Sequence, residues 1–258
     1  MRMNISSVSN YGIYRNYESL SSGKRINSAS DDAAGLAISQ KLQSQVNGYD
    51  VGSRNAGTSQ DMLKVADGAL GSITDNLQRI RELSVQAANG LYTDADRGAI
   101  QKEIDQLKQS IADTASQTQF NTKNLLDGTM GNSHVAAGPN GDGMEISMPN
   151  ATLQALGIED YDISSGNFDL SVIDDALEKV NSARGSIGAS SNRLDSVMAY
   201  NANASYNLTA SQSRIEDLDY PKAISDMKRD DLLRTFQMMM QRKKMEDENG
   251  RVLQYFRS

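Results

Sequence analysis

The chain has no cysteine and no tryptophan, only four phenylalanines, three prolines and a single histidine in 258 residues. Without cysteine there is no disulfide framework and no thiolate metal site, and both reducing and oxidising compartments suit the chain. With aromatics at 5 %, a core must be built from Leu, Ile, Val, Met and Ala, which favours slender helical bundles over a bulky globule. Concentrated positive charge is also missing: the formal net charge is −7, and the only short basic block is at 242–244. Phosphate binding relies on clustered Lys and Arg, so no nucleic-acid partner is expected. The first twenty residues carry polar residues throughout with no apolar run long enough for a signal-peptide core, and no later stretch approaches a membrane span, which predicts no membrane insertion and no ordinary secretory signal. Any export would then need a different route.

Residues suited to catalysis are equally scarce. His134 lies in a Gly-rich region with no second imidazole and no HExxH pattern to share a metal. Asp31 and Asp32 are sequence neighbours, so on a helix they point about 100° apart and suit a helix start better than paired acid/base work. The segment GPNGDG lacks the Gly-Lys-Ser/Thr ending of a phosphate loop and the acidic ligands of a calcium loop. The expectation is a non-enzyme with no catalytic residue, no metal site and no cofactor.

What the chain does have is heptad repetition. Leu63, Ala66, Leu70, Ile73, Leu77, Ile80, Ser84 and Ala87 form one seam, and Ile100, Ile104, Leu107, Ile111 and Ala115 form a second stripe. A third series, Ile173, Val180, Ile187, Leu194, Asn201, Leu208 and Ile215, runs beside a mostly small companion series, Ala176, Ala183, Ser190, Val197, Ala204, Ser211 and Leu218. Such a pairing predicts a long helix packed closely on a partner, with Asn201 as a polar position that fixes register. Ser28 or Ser30 is expected to cap the first long helix with Asp31 and Asp32 in its first turn, and Gly35 suggests another helix or a neighbouring subunit approaching closely there. The stretch GYDVGSRNAG at 48–57 interrupts the seam. From 129 to 168 glycine and asparagine are frequent, and HVAAGPNGDGMEISMP predicts a β-hairpin. Pro221 is expected to break the last long helix and act as a hinge.

The fold class that follows is mainly α: long antiparallel helices in a rod-like coiled-coil bundle, a small β-hairpin region, and a helical domain made of the terminal arms. The expected division is an arm domain of residues 1–27 and 222–258, and a core of 28–221 with its β insert at about 129–168. Amphipathic arms without an internal core usually order against another molecule, so a self-assembling or partner-binding protein is implied.

Several long motifs sharpen this reading. LSSGKRINSASDDAAGLAIS, SRNA at 53–56, LQRIRELSVQAANG and QTQFNTKNLL resemble the N-terminal region of bacterial flagellins, and SARGSIGASSNRL with SQSRIEDLDY resembles the C-terminal one. The resemblance spans nearly the whole chain and implies a short flagellin without variable outer domains. It implies type III flagellar export, an export chaperone and a filament cap as partners, polymerisation into an extracellular filament for motility, and recognition of the monomer by the animal Toll-like receptor for flagellin. Arg79, Leu83 and Glu103 match that receptor-contact motif, flanked by Gln78, Arg81, Glu82 and Gln86. Leu83 sits at the margin of the seam. Leu232, Leu233, Phe236, Met239 and Leu253 would belong to the assembly arm. The ending MMMQRKKMEDENGRVLQYFRS departs from the Gln- and Ala-rich close usual in flagellins, and the arm before LSSGKRIN is shorter; both departures fall in the domain that drives polymerisation. The alternatives are a minor or specialised flagellin, and a hook-filament junction protein acting mainly as a co-assembling subunit or immune ligand.

Overall fold

The computed structural model describes the backbone of residues 5–255 and the side chains of residues 14–247. In chain order it contains α1 (Ile5–Ser22), α2 (Ala33–Ala87), α3 (Asp94–Gln117), β1 (Gln119–Phe120), β2 (Lys123–Asn124), β3 (Asn132–Ala136), β4 (Gly143–Ser147), α4 (Leu153–Leu156), α5 (Ser171–Glu216) and α6 (Tyr220–Tyr255). Two compact units divide the chain. One joins the residues up to Gln45 with those from Tyr206 on, and the other is Val46–Ser205.

Within Val46–Ser205 the heptad seams become the core. Leu63, Ala66, Leu70, Ile73, Leu77, Ile80 and Ala87 of α2 join Ile104, Ile111 and Ala115 of α3 and Ile173, Ala176, Val180, Ile187 and Leu194 of α5 in one buried cluster. Ser84 can occupy the seam because its hydroxyl donates to the Ile80 carbonyl one turn back, at 2.7 Å, so no polar atom is stranded. The start of α3 carries a reciprocal cap: Thr93 accepts the Asp96 amide, and the Asp96 carboxylate accepts the Thr93 amide.

The 55-residue α2 corrects the expected interruption at 48–57. Gly48 and Gly52 do not break the helix; they make room for the turn of the β3–β4 hairpin. A Cβ on Gly52 would lie 2.1 Å from the Ala137 carbonyl oxygen, and one on Gly48 would lie 2.7 Å from the Pro139 Cα. The Asn55 side chain donates to the Ala136 carbonyl at 2.9 Å, and the Asn201 amide donates to the Ala137 carbonyl at 2.7 Å. Asn201 therefore holds a hairpin rather than setting the register of two helices. Its buried amide is satisfied by a carbonyl that the strand ladder leaves free.

The predicted hairpin forms with β3 and β4 antiparallel and His134 opposite Glu145. Val135, Met144 and Ile146 turn inward, following the two-residue side-chain period of a strand. A second, minimal hairpin pairs β1 with β2 through Asn121 and Thr122, both at positive φ. Such a two-residue turn needs that backbone region at both positions, and the usual sequence mark, a glycine, is missing.

In the other unit, residues 23–25 run antiparallel to 216–218. The Arg25 amide donates to the Glu216 carbonyl at 2.7 Å and the Leu218 amide to the Gly23 carbonyl at 3.0 Å. The cap of α2 is Asp32, whose carboxylate accepts the Gly35 amide at 2.8 Å, rather than Ser28 or Ser30. Asp31 instead gathers the amides of Asn27 and Ser28. The expected approach of another helix or subunit at Gly35 is corrected: its close neighbours are Ile26 and Asp32 of the segment just before α2. The break after α5 falls at 217–219, with Asp219 accepting the Lys222 amide. Pro221 then stands in the first turn of α6, where its missing N–H costs nothing. It starts a helix instead of breaking one.

Candidate partner-contact surface

Arg79 on α2 reaches Glu103 on α3. Its Nη2 and Nε lie 2.8 and 3.1 Å from one Glu103 carboxylate oxygen, and its Nη1 lies 3.2 Å from Glu82. Glu103 first, then Glu82, raise the guanidinium above its ordinary pKa. All three side chains are exposed, so solvent screens the pairs and they contribute little to stability. Their effect is to hold a charged fork in a fixed position across two helices. Gln86 donates to the Tyr92 hydroxyl at 2.9 Å, and Gln78 is exposed beside them.

Two of the expected contact residues stand elsewhere. Leu83 is only 3 % exposed and belongs to the core, which corrects its placement at the seam's margin. With α3 and α5 both contributing to this core, the apolar stripe of α2 is wider than a two-position seam. Leu83 thus supports the surface from beneath. Arg81 pairs with Asp174 at the start of α5, 2.6 Å away, and Asp174 raises its pKa. It ties α2 to α5, away from the Arg79–Glu103 bridge. Nothing in the sequence at 77–90 announces Asp174 as its partner, because the pair is 93 residues apart.

The expected assembly-arm residues lie on α6. Leu232, Leu233, Phe236 and Met239 are all exposed, Leu232 at 71 % and Phe236 at 67 %, together with Met238, Met240 and Met245. The Leu253 side chain lies outside the described residues. At the base of the arms α6 meets α1: Asn16 donates to Asp230 at 3.2 Å, and the Tyr220 hydroxyl to the Leu20 carbonyl. So many large apolar side chains on one exposed helix mark an interaction surface.

Among the described residues, no group of three or more His, Asp or Glu is placed to hold a metal ion, and no helix is long and apolar enough to cross a membrane. Heptad-packed helices, a pinned hairpin and a charged helix that leaves large apolar side chains exposed define a helical structural subunit that works through its surfaces.

The family follows from comparison with known proteins. The model of the bacterial flagellin N-terminal helical region matches residues 2–130, and that of the C-terminal helical region matches residues 170–255. A flagellin of Halalkalibacterium halodurans is 39 % identical over 84 % of this chain and 82 % of its own length. The flagellar filament 33 kDa core protein of Treponema phagedenis is 39 % identical over 87 % of this chain and 85 % of its own. The crystal structure of Bacillus cereus flagellin superposes with a TM-score of 0.51 at 30 % identity, covering 57 % of this chain and 88 % of that one. The chain belongs to the bacterial flagellin family, in a short form in which only residues 131–169 separate the two helical regions. Flagellins are structural proteins that self-assemble into the extracellular flagellar filament, and this chain is a structural subunit of that kind.

Proposed function

We propose that this subunit leaves the cell by the flagellar type III route with an export chaperone, is placed under the filament cap, and is held there by a domain formed from residues 1–27 and 222–258. The observation that supports the arm's role is the row of exposed apolar residues Leu232, Leu233, Phe236 and Met239 on α6. A monomer gains nothing from leaving them in water; a polymer that buries them gains roughly 1.5–3 kcal/mol for each one fully covered. Replacing Leu232 and Phe236 together by serine leaves the monomer's helix content unchanged and abolishes seeded filament growth in sedimentation assays. Growth at the wild-type rate would rule out the arm.

The free monomer is also a ligand for the animal Toll-like receptor for flagellin, through Arg79, Glu103 and Glu82 with Gln78 and Gln86 beside them. The bridge from Arg79 to Glu103 supports this reading, since it presents a fixed polar pattern across two helices. Arg79→Ala with Glu103→Ala lowers receptor affinity at least tenfold in surface plasmon resonance, with circular dichroism unchanged. Equal affinity would discard the proposed face. Arg81→Ala is the comparison variant, and it weakens binding less because Arg81 is engaged with Asp174.

A further inference from the structure

The unit Val46–Ser205 carries an unexplained feature at each end of its stretch of α2. Beside Gly48 and Gly52, the hairpin turn leaves a cleft of about 700 Å³ with α2 and α5, lined mostly by apolar atoms of Tyr49, Pro139, Met144, Val197 and Tyr200. Tyr49 and Tyr200 meet edge to face there, with ring centres 6.1 Å apart. The charged lining residues are Arg193 and Asp142. Arg193 is exposed and makes no ion pair among the described residues.

Beyond the other end of α2, the turn before α3 holds Leu91, 88 % exposed and so the most exposed large apolar side chain among those described. Three residues on, Asp94 is likewise exposed, and one of its oxygens holds Arg97 at 3.0 Å. The 35 residues between Gly52 and Ala87 place turn and cleft about 50 Å apart along one helix, so they cannot meet within one subunit.

We infer that Leu91 of one subunit docks into the Tyr49–Tyr200 cleft of the next copy, with Asp94 facing Arg193, as a head-to-tail contact along the filament. An apolar projection at one end and an apolar cleft at the other form a heterologous pair, the kind that repeats without closing when the rotation between copies does not return to the start. The acidic turn and Arg193 in the cleft lining match in charge, and Asp142, also in the lining, suits the partly exposed Arg97. A leucine projecting into water has no packing role in its own chain, whereas burial on a neighbour stabilises that contact. The inference rests on the chain being a filament subunit.

The absence of native cysteine makes a direct test possible. A Leu91→Cys, Val197→Cys double variant is grown on wild-type seeds and treated with a short bis-maleimide. A ladder of covalent oligomers is expected on a denaturing gel, while an equal mixture of the two single variants stops at dimers. Filaments seen by electron microscopy without a ladder overturn the docking and leave the filament role intact. If the wild-type chain forms no filaments, the filament role fails; the double variant concentrated in solution must then still give the ladder, and its absence overturns the docking as well. Leu91→Asp, and separately Ser196→Trp to fill the cleft, should each raise the critical concentration about tenfold or more with unchanged circular dichroism. A wild-type critical concentration in both would overturn the docking too.

Discussion

Gly52→Ala lowers the stability of the protein by about 3 kcal/mol, although alanine in a helix interior normally stabilises by about 1 kcal/mol relative to glycine. The new Cβ would sit 2.1 Å from the Ala137 carbonyl oxygen and 2.6 Å from its carbon. Both belong to backbone, so relief requires the hairpin turn to lift as a body. That movement strains the bonds from Asn55 to Ala136 and from Asn201 to Ala137, and the Asn201 amide is buried. Leaving a buried donor unpaired costs about 1–3 kcal/mol, and overpacking costs a similar amount. For a chain of this size the melting temperature falls by roughly 6–12 °C. Gly68→Ala is the control, because a Cβ there meets nothing within 4 Å, and it should melt at or slightly above the wild-type temperature. Differential scanning calorimetry distinguishes the cases: if both variants melt alike, the glycines do not seat the hairpin.

The second large effect concerns Glu216, a buried carboxylate at the end of α5. Lys24 lies 2.5 Å from it, the Ser39 hydroxyl donates to it, and Gln212 donates at 3.1 Å. Led by Lys24 and Ser39, these partners hold its pKa near 2, against an ordinary value of 4.5. Because the folded pKa is the depressed one, the stabilisation is present in full above about pH 4.5. It is lost as pH falls through 2, and corresponds to roughly 3 kcal/mol. Glu216→Gln removes the charge and with it this pH dependence. The variant should melt well below the wild type at pH 7, with the gap closing between pH 4.5 and 2. Asp31, Asp96 and Asp127 also have lowered pKa values, but they are common to both proteins and cancel in the difference. Parallel melting curves across that range would remove Glu216 from the account.

These two sites mark where sequence reasoning stops. The heptads gave the long helices and their buried seams, because a repeat of seven records packing within and between neighbouring turns. Gly48 and Gly52 read as an interruption, since helix propensity counts only local costs. Their reason is a loop more than eighty residues away. Asn201 was visible as a polar residue in an apolar series, but its partner on the hairpin was not. Leu83 falls off the two-position seam and is nonetheless buried, because α2 faces more than one helix. The Asn121–Thr122 turn carries no glycine to announce its positive φ. Of the proposed receptor face, the sequence supplied the residues through their resemblance to flagellins, and the structure adds the bridge from Arg79 to Glu103 and the separation of Arg81.

Seeded polymerisation of the full-length chain, followed by electron microscopy and sedimentation, bears most directly on the central claim that this short flagellin builds filaments through its exposed apolar arm. The account predicts filaments from the wild-type chain and none from the chain lacking residues 222–258, with the truncated protein still helical. A folded wild-type chain that stays monomeric on seeds, or a truncated chain that polymerises as well as the intact one, would contradict it.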